Sequence, residues 1–97
     1  MVQDIEWTET ALDSYRKNID YLYAEWTQKE IDKFTSAVSR KIALLSLQPR
    51  IGTPTNKRLW IRKTVINKQI VLFYRFKPRK RIVELVLFFN THRSPLV

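Results

Sequence analysis

The chain has 97 residues, 44% of them hydrophobic, and a net charge of +9; this is enough for one hydrophobic core and too little for two, so residues 1–97 are expected to form a single domain. With no cysteine and a single histidine, the sequence offers neither a disulfide framework nor a thiolate or histidine metal centre, and no cofactor is expected. The first residues lack a basic segment followed by an apolar run, and the longest apolar stretches are only strand-length. Neither secretion nor membrane insertion is expected, and a reducing cytoplasm fits.

The opening stretch "QDIEW" alternates Gln3, Ile5 and Trp7 with Asp4 and Glu6, the pattern of a strand with one wet face. Thr8 is placed to cap a helix, and Leu12, Tyr15, Ile19, Leu22, Tyr23 and Trp26 then recur three or four apart as its apolar stripe. "TQKE" reads as a capping box, with the Thr27 hydroxyl accepting from the Glu30 amide, and starts a second helix. Its stripe is Ile31, Phe34, Val38, Ile42 and Leu45, and Pro49 and Gly52 end it. So short a connection folds the two helices into an antiparallel hairpin over a shared core.

β-Branched and aromatic residues then dominate, predicting strands over 59–66, 70–76 and 82–89 joined by "NK" and "KPRK". A two-residue turn at Asn67 and Lys68 pairs Val65 with Ile70 and Ile61 with Tyr74; a turn centred on Pro78 and Arg79 pairs Tyr74 with Val83 and Leu72 with Leu85. These registers put Leu59, Ile61, Val65, Ile70, Leu72, Tyr74, Val83, Leu85 and Leu87 against the helices, with Phe89. The open face then carries Trp60, Arg62, Val71, Phe73, Arg75, Ile82, Glu84, Val86 and Phe88. The fold class is α+β: an N-terminal strand, an antiparallel helix hairpin and a three-stranded antiparallel meander, with the helices on one face of the sheet.

Charge is divided sharply along the chain. Residues 1–48 hold six Lys/Arg against eight Asp/Glu, a net −2, whereas residues 49–97 hold twelve against Glu84 alone, a net +11. Such a field speeds encounter with anionic partners. Aromatic groups among guanidinium groups suit stacking and phosphate contact, so Trp60, Arg62, Phe73, Arg75, Arg79, Lys80, Arg81, Asn90 and Arg93 form the expected partner or nucleic-acid surface. The plainer alternative is that Arg62 and Arg75 pair with Glu84 across the strands, although one carboxylate cannot neutralise both. Lys63 falls by alternation on the helix side, where a bulge or an edge position that lets its ammonium reach water is the simplest account.

The element order, the helix end "LLSLQPRIG", the central strand "IVLFYRF" and the ending "FFNTHRSP" together resemble the RelE/ParE superfamily of bacterial toxins over nearly the whole chain. The resemblance implies a growth-inhibiting toxin of a type II toxin-antitoxin, or plasmid-stabilising, system, silenced by an acidic cognate antitoxin in a hetero-oligomer. RelE-like members resemble ribosome-dependent mRNA endonucleases that use Lys and Arg with a C-terminal Tyr or His; ParE-like members poison DNA gyrase. The RelE-like arginine three residues before the central tyrosine is replaced by Val71, and no tyrosine follows Tyr74. The endonuclease alternative therefore rests on His92 for proton transfer, with Arg93, Arg62 and Lys63 supplying positive charge. A histidine just past a strand is more commonly an exposed polar residue, and the ParE-like branch is the preferred reading. A non-toxic nucleic-acid-binding module is a third, although its element order does not match the common RNA-binding fold.

Overall fold

Two helices and five strands follow one another as β1 (Asp4–Trp7), α1 (Glu9–Glu25), α2 (Gln28–Leu47), β2 (Thr53–Pro54), β3 (Ile61–Val65), β4 (Ile70–Lys77) and β5 (Ile82–Asn90). They are seen in a computed structural model that describes residues 2–25, 27–55 and 60–91. The strands form one sheet in the order β1-β5-β4-β3-β2. All neighbours are antiparallel except β1, which lies parallel to β5. The meander, the helix hairpin and the single helix-covered face agree with expectation. The two-residue β2, which borders β3, has too little apolar pattern to be foreseen.

α2 buries Ile31, Phe34, Val38 and Leu45, with Ile42 packed beside them, as its periodicity predicts. Its cap differs: Thr27 is the extended N-cap, but the Glu30 amide donates to the Thr27 backbone carbonyl at 3.1 Å, and among the described residues the hydroxyl makes no capping bond. Thr8 does cap α1. Its Oγ1 accepts from the Ala11 amide at 3.0 Å and donates to the Leu85 carbonyl at 2.8 Å, tying the start of the helix to β5.

The buried side of α1 is Ala11, Asn18 and Leu22 with Tyr15 and Ile19, whereas Leu12 and Tyr23 are exposed. Trp26 lies outside the described residues. The stripe is rotated because α1 completes the edge of β5 where β1 stops, at Trp7 opposite Leu85. Beyond it the Phe88 amide donates to Ser14 Oγ at 2.9 Å, and Asn18 Nδ2 donates to the Phe88 carbonyl at 3.2 Å. Two short polar side chains thus satisfy a strand edge that water cannot reach, and the large apolar residues turn aside.

The sheet half of the core is Ile70, Leu72 and Tyr74 from β4 with Val83, Leu85 and Phe88 from β5. Tyr15 links it to α2, stacking on Phe34 at 5.7 Å between ring centroids and meeting Phe88 at 5.4 Å. Trp7 closes the same cluster from β1, 5.5 Å from Phe88.

Both expected registers change. Val65 pairs with Val71 and Ile61 with Arg75, one residue away from the prediction. Asn67 causes the slip: its Oδ1 accepts from the Gln69 and Ile70 amides at 2.8 and 2.9 Å, so residues 66–69 form a longer loop. A one-residue slip inverts a strand. Arg62 and Thr64 therefore stand on the helix side, while Ile61, Lys63 and Val65 lie on the open face, Val65 with 60% of its surface exposed. Leu59 lies outside the described residues.

Between β4 and β5, Tyr74 pairs with Leu85 and Phe76 with Val83, so the loop spans residues 78–81 and the faces are kept as far as Leu85. The ladder then skips Val86, with Phe73 opposite Leu87 and Leu72 opposite Phe88. This bulge reverses the rest of β5, so Phe88 is a core residue and Leu87 and Phe89 belong to the open face, the opposite of the expected assignment.

Candidate functional site

The geometry is best built outward from Tyr74, the tyrosine of "IVLFYRF", which is fully buried. Its hydroxyl donates to the Pro49 carbonyl at 2.8 Å and accepts the Gly52 amide at 2.9 Å. Arg62 crosses beside it, donating through Nη1 to the carbonyls of Gly52 at 2.7 Å and Arg50 at 3.2 Å. A Cβ on Gly52 would fall 2.5 Å from the Tyr74 oxygen and 2.9 Å from the Lys63 carbonyl, so glycine is required by close approach. Burial raises the Tyr74 phenol above its ordinary 10.0, opposed by the Gly52 hydrogen bond and the Arg62 charge. Tyr74 and Arg62 together fix the loop after α2. Neither points to the open sheet face, which corrects the expected placement of Arg62.

The fixed loop delivers Arg50, whose guanidinium lies 4.8 Å from the centroid of the Phe76 ring. Phe76 belongs to a cleft of about 490 Å³ lined by Trp60, Arg75, Phe76, Lys77, Pro78, Arg79 and Lys80. Its aromatic wall is Trp60, 61% exposed, just before β3. The β4–β5 loop forms the cationic side. The Lys80 amide donates to the Lys77 carbonyl and the Arg81 amide to the Pro78 carbonyl, both at 3.2 Å. Arg81 takes φ 57°, and its carbonyl accepts from the Asp4 amide at 2.8 Å, fastening the loop to β1.

On the open face, Glu84 accepts from Arg75 at 2.7 Å and lies 3.5 Å from Lys77. The pairing of Arg75 with Glu84 agrees with the plainer expectation, but Lys77 and not Arg62 is the second cation. Next along the sheet come Phe73 opposite Leu87 and Val71 opposite Phe89, flanked by Lys63, which is exposed at the β3 border. The slipped register removes any need for Lys63 to escape from the core.

The structure thus gathers Trp60, Arg75, Arg79 and Lys80 into one cleft and places Arg81 at the end of the same loop. Phe73 is on the open face. Asn90 is buried near the other end of β5. His92 and Arg93 lie outside the described residues. Sequence reasoning missed Lys77, Phe76 and Arg50, although "RFKPRKR" places five cations among residues 75–81.

Chemically, the cleft can attract an anion and stack a flat group. None of the described residues that line it is a carboxylate, histidine or tyrosine, and its ionisable side chains are Arg75, Lys77, Arg79 and Lys80. Among the described residues there is no cluster of three side chains able to hold a metal ion, and no helix is long and apolar enough to cross a membrane.

Comparison with known proteins gives a consistent family. The family model for the ParE toxin of the parDE type II toxin-antitoxin system matches residues 5–95. No match is found among curated proteins. Among solved structures, the chain is similar to the chromosomal ParDE system of P. aeruginosa, with TM-score 0.75 and 10% identity over 94% of this chain and 98% of that one. It is similar to the E. coli RelE toxin, with TM-score 0.66 and 16% identity over 97% and 89%. A YoeB/ParE toxin from Agrobacterium tumefaciens gives TM-score 0.66 and 13% identity over 90% and 96%. These likenesses establish the shared fold across both branches, and the match to residues 5–95 places the chain in the ParE toxin family of type II toxin-antitoxin systems.

Proposed function

We propose that this toxin acts by binding, inhibiting DNA gyrase in the cytoplasm, and that a cognate acidic antitoxin neutralises it in a hetero-oligomer, as in a plasmid-stabilising system. The observation that carries the reading is the match of the ParE toxin model to residues 5–95. Tyr74 is sealed in the core and hydrogen-bonded to Pro49 and Gly52 as a strut, so the endonuclease alternative rests on His92 for proton transfer.

The antitoxin's surface, in this reading, is the open sheet face. Val65, Val71, Phe73, Leu87 and Phe89 offer apolar contact there, and Lys63, Arg75 and Lys77 offer charge for acidic side chains. Induction of the chain in bacteria tests the target. Gyrase-linked DNA breaks and DNA-damage signalling are expected, with ribosome-bound mRNA intact. Cleavage of ribosome-bound mRNA, abolished in a folded His92→Ala protein, would establish the RelE-like alternative in its place.

A further inference from the structure

The cleft at the β4–β5 loop adjoins the open face, with Arg75 and Lys77 at the border between them, but its composition is different. Arg79 and Lys80 are exposed, and among the described residues neither they nor Arg81 is paired with a carboxylate. Glu84 already serves Arg75 and Lys77. Trp60 is 61% exposed and lines the same cleft as Arg79 and Lys80, and the Arg50 guanidinium lies 4.8 Å from the centroid of the Phe76 ring.

From this juxtaposition we propose that the cleft binds single-stranded nucleic acid, with a base stacked on Trp60 and neighbouring phosphates held by Arg79, Lys80 and Arg81. A base has a π-face for the indole whatever its identity, and the flanking phosphates need cations that no internal carboxylate neutralises. An acidic peptide would use the cations but would leave the Trp60 face without a matched partner, whereas the open sheet face offers Val65, Val71 and Leu87 for its apolar side chains. Arg81 supports the assignment. It is an arginine held at φ 57°, a conformation in which glycine is cheaper, at the end of the cationic loop.

The proposal does not depend on gyrase being the toxin's target. It is tested with the purified full chain and fluorescently labelled DNA and RNA strands of about 10 nucleotides, followed by anisotropy at several salt concentrations. Three phosphate contacts predict a logarithmic salt slope of about −2. Trp60→Ala leaves the charge unchanged and is expected to weaken binding about tenfold, the scale of one lost stacked base, while Trp60→Phe retains most of it. Arg79→Ala with Lys80→Ala should flatten the slope by about 1.4. Melting temperature checks that each variant folds, and Arg81→Gly, which keeps the bend and removes only a charge, should also bind more weakly. Equal binding by wild type and folded Trp60→Ala would overturn the proposal, leaving charge attraction alone. So would absence of binding at low salt, or displacement of the strand by polyglutamate at equal charge in a manner that depends on Trp60, which would identify an acidic-protein site.

Discussion

Tyr74 and Gly52 are locked together across the end of α2: the phenol oxygen accepts the Gly52 amide at 2.9 Å and leaves no room for a Cβ there. One contact joins the buried centre of β4 to the loop that places Arg50 over the Phe76 ring. Gly52→Ala must push the backbone off Tyr74 and the Lys63 carbonyl, and overpacking of this kind costs about 1–3 kcal/mol. Each kcal/mol is about 4–8 °C in melting temperature at this chain length. Thermal unfolding followed by circular dichroism should show that loss, and a Tyr74→Phe background should reduce it because the clashing oxygen is gone.

Alkali should weaken the fold. Burial raises the phenols of both Tyr74 and Tyr15 above 10.0, so each is harder to ionise folded than unfolded. Their stabilising contribution is complete below the unfolded value and is lost as pH rises through the higher folded values. Urea midpoints should therefore fall above about pH 10, and less steeply in a Tyr15→Phe variant.

Asn18 and Leu12 should behave contrary to their hydrophobicity. Asn18→Leu removes the donor to the Phe88 carbonyl and leaves that buried group unsatisfied, costing about 1–3 kcal/mol. Leu12→Asn alters an exposed position and should stay within about 0.5 kcal/mol of the parent. Paired urea titrations would check the contrast.

These two residues also show where the sequence stops being legible. Period-3.6 reasoning identifies α2 correctly because its stripe meets only apolar neighbours, but it misplaces the buried side of α1, where Ser14 and Asn18 serve the edge of β5. Alternation alone likewise cannot foresee the Asn67 turn or the unpaired Val86, and each of them inverts part of a strand. The cleft was partly readable. Trp60, Arg75, Arg79 and Lys80 stand out by charge and aromaticity, whereas Arg50 reaches Phe76 only because the distant Tyr74–Gly52 contact holds its loop.

Arg81 offers a stabilising change. Its left-handed backbone costs a non-glycine residue about 1–2 kcal/mol, part of which glycine recovers after its own entropy loss. Arg81→Gly should gain about 0.5 kcal/mol net and raise the melting temperature by a few degrees, measurable by calorimetry. No gain would mean that the Arg81 side chain makes compensating contacts in the folded chain.

The most direct test of the central claim is a supercoiling assay with purified gyrase and the full chain, run beside a ribosome-dependent mRNA cleavage assay. Inhibition by binding predicts lost supercoiling that the cognate antitoxin restores, equal potency for His92→Ala, and intact mRNA. Unimpaired gyrase together with mRNA cleavage that requires His92 would contradict it.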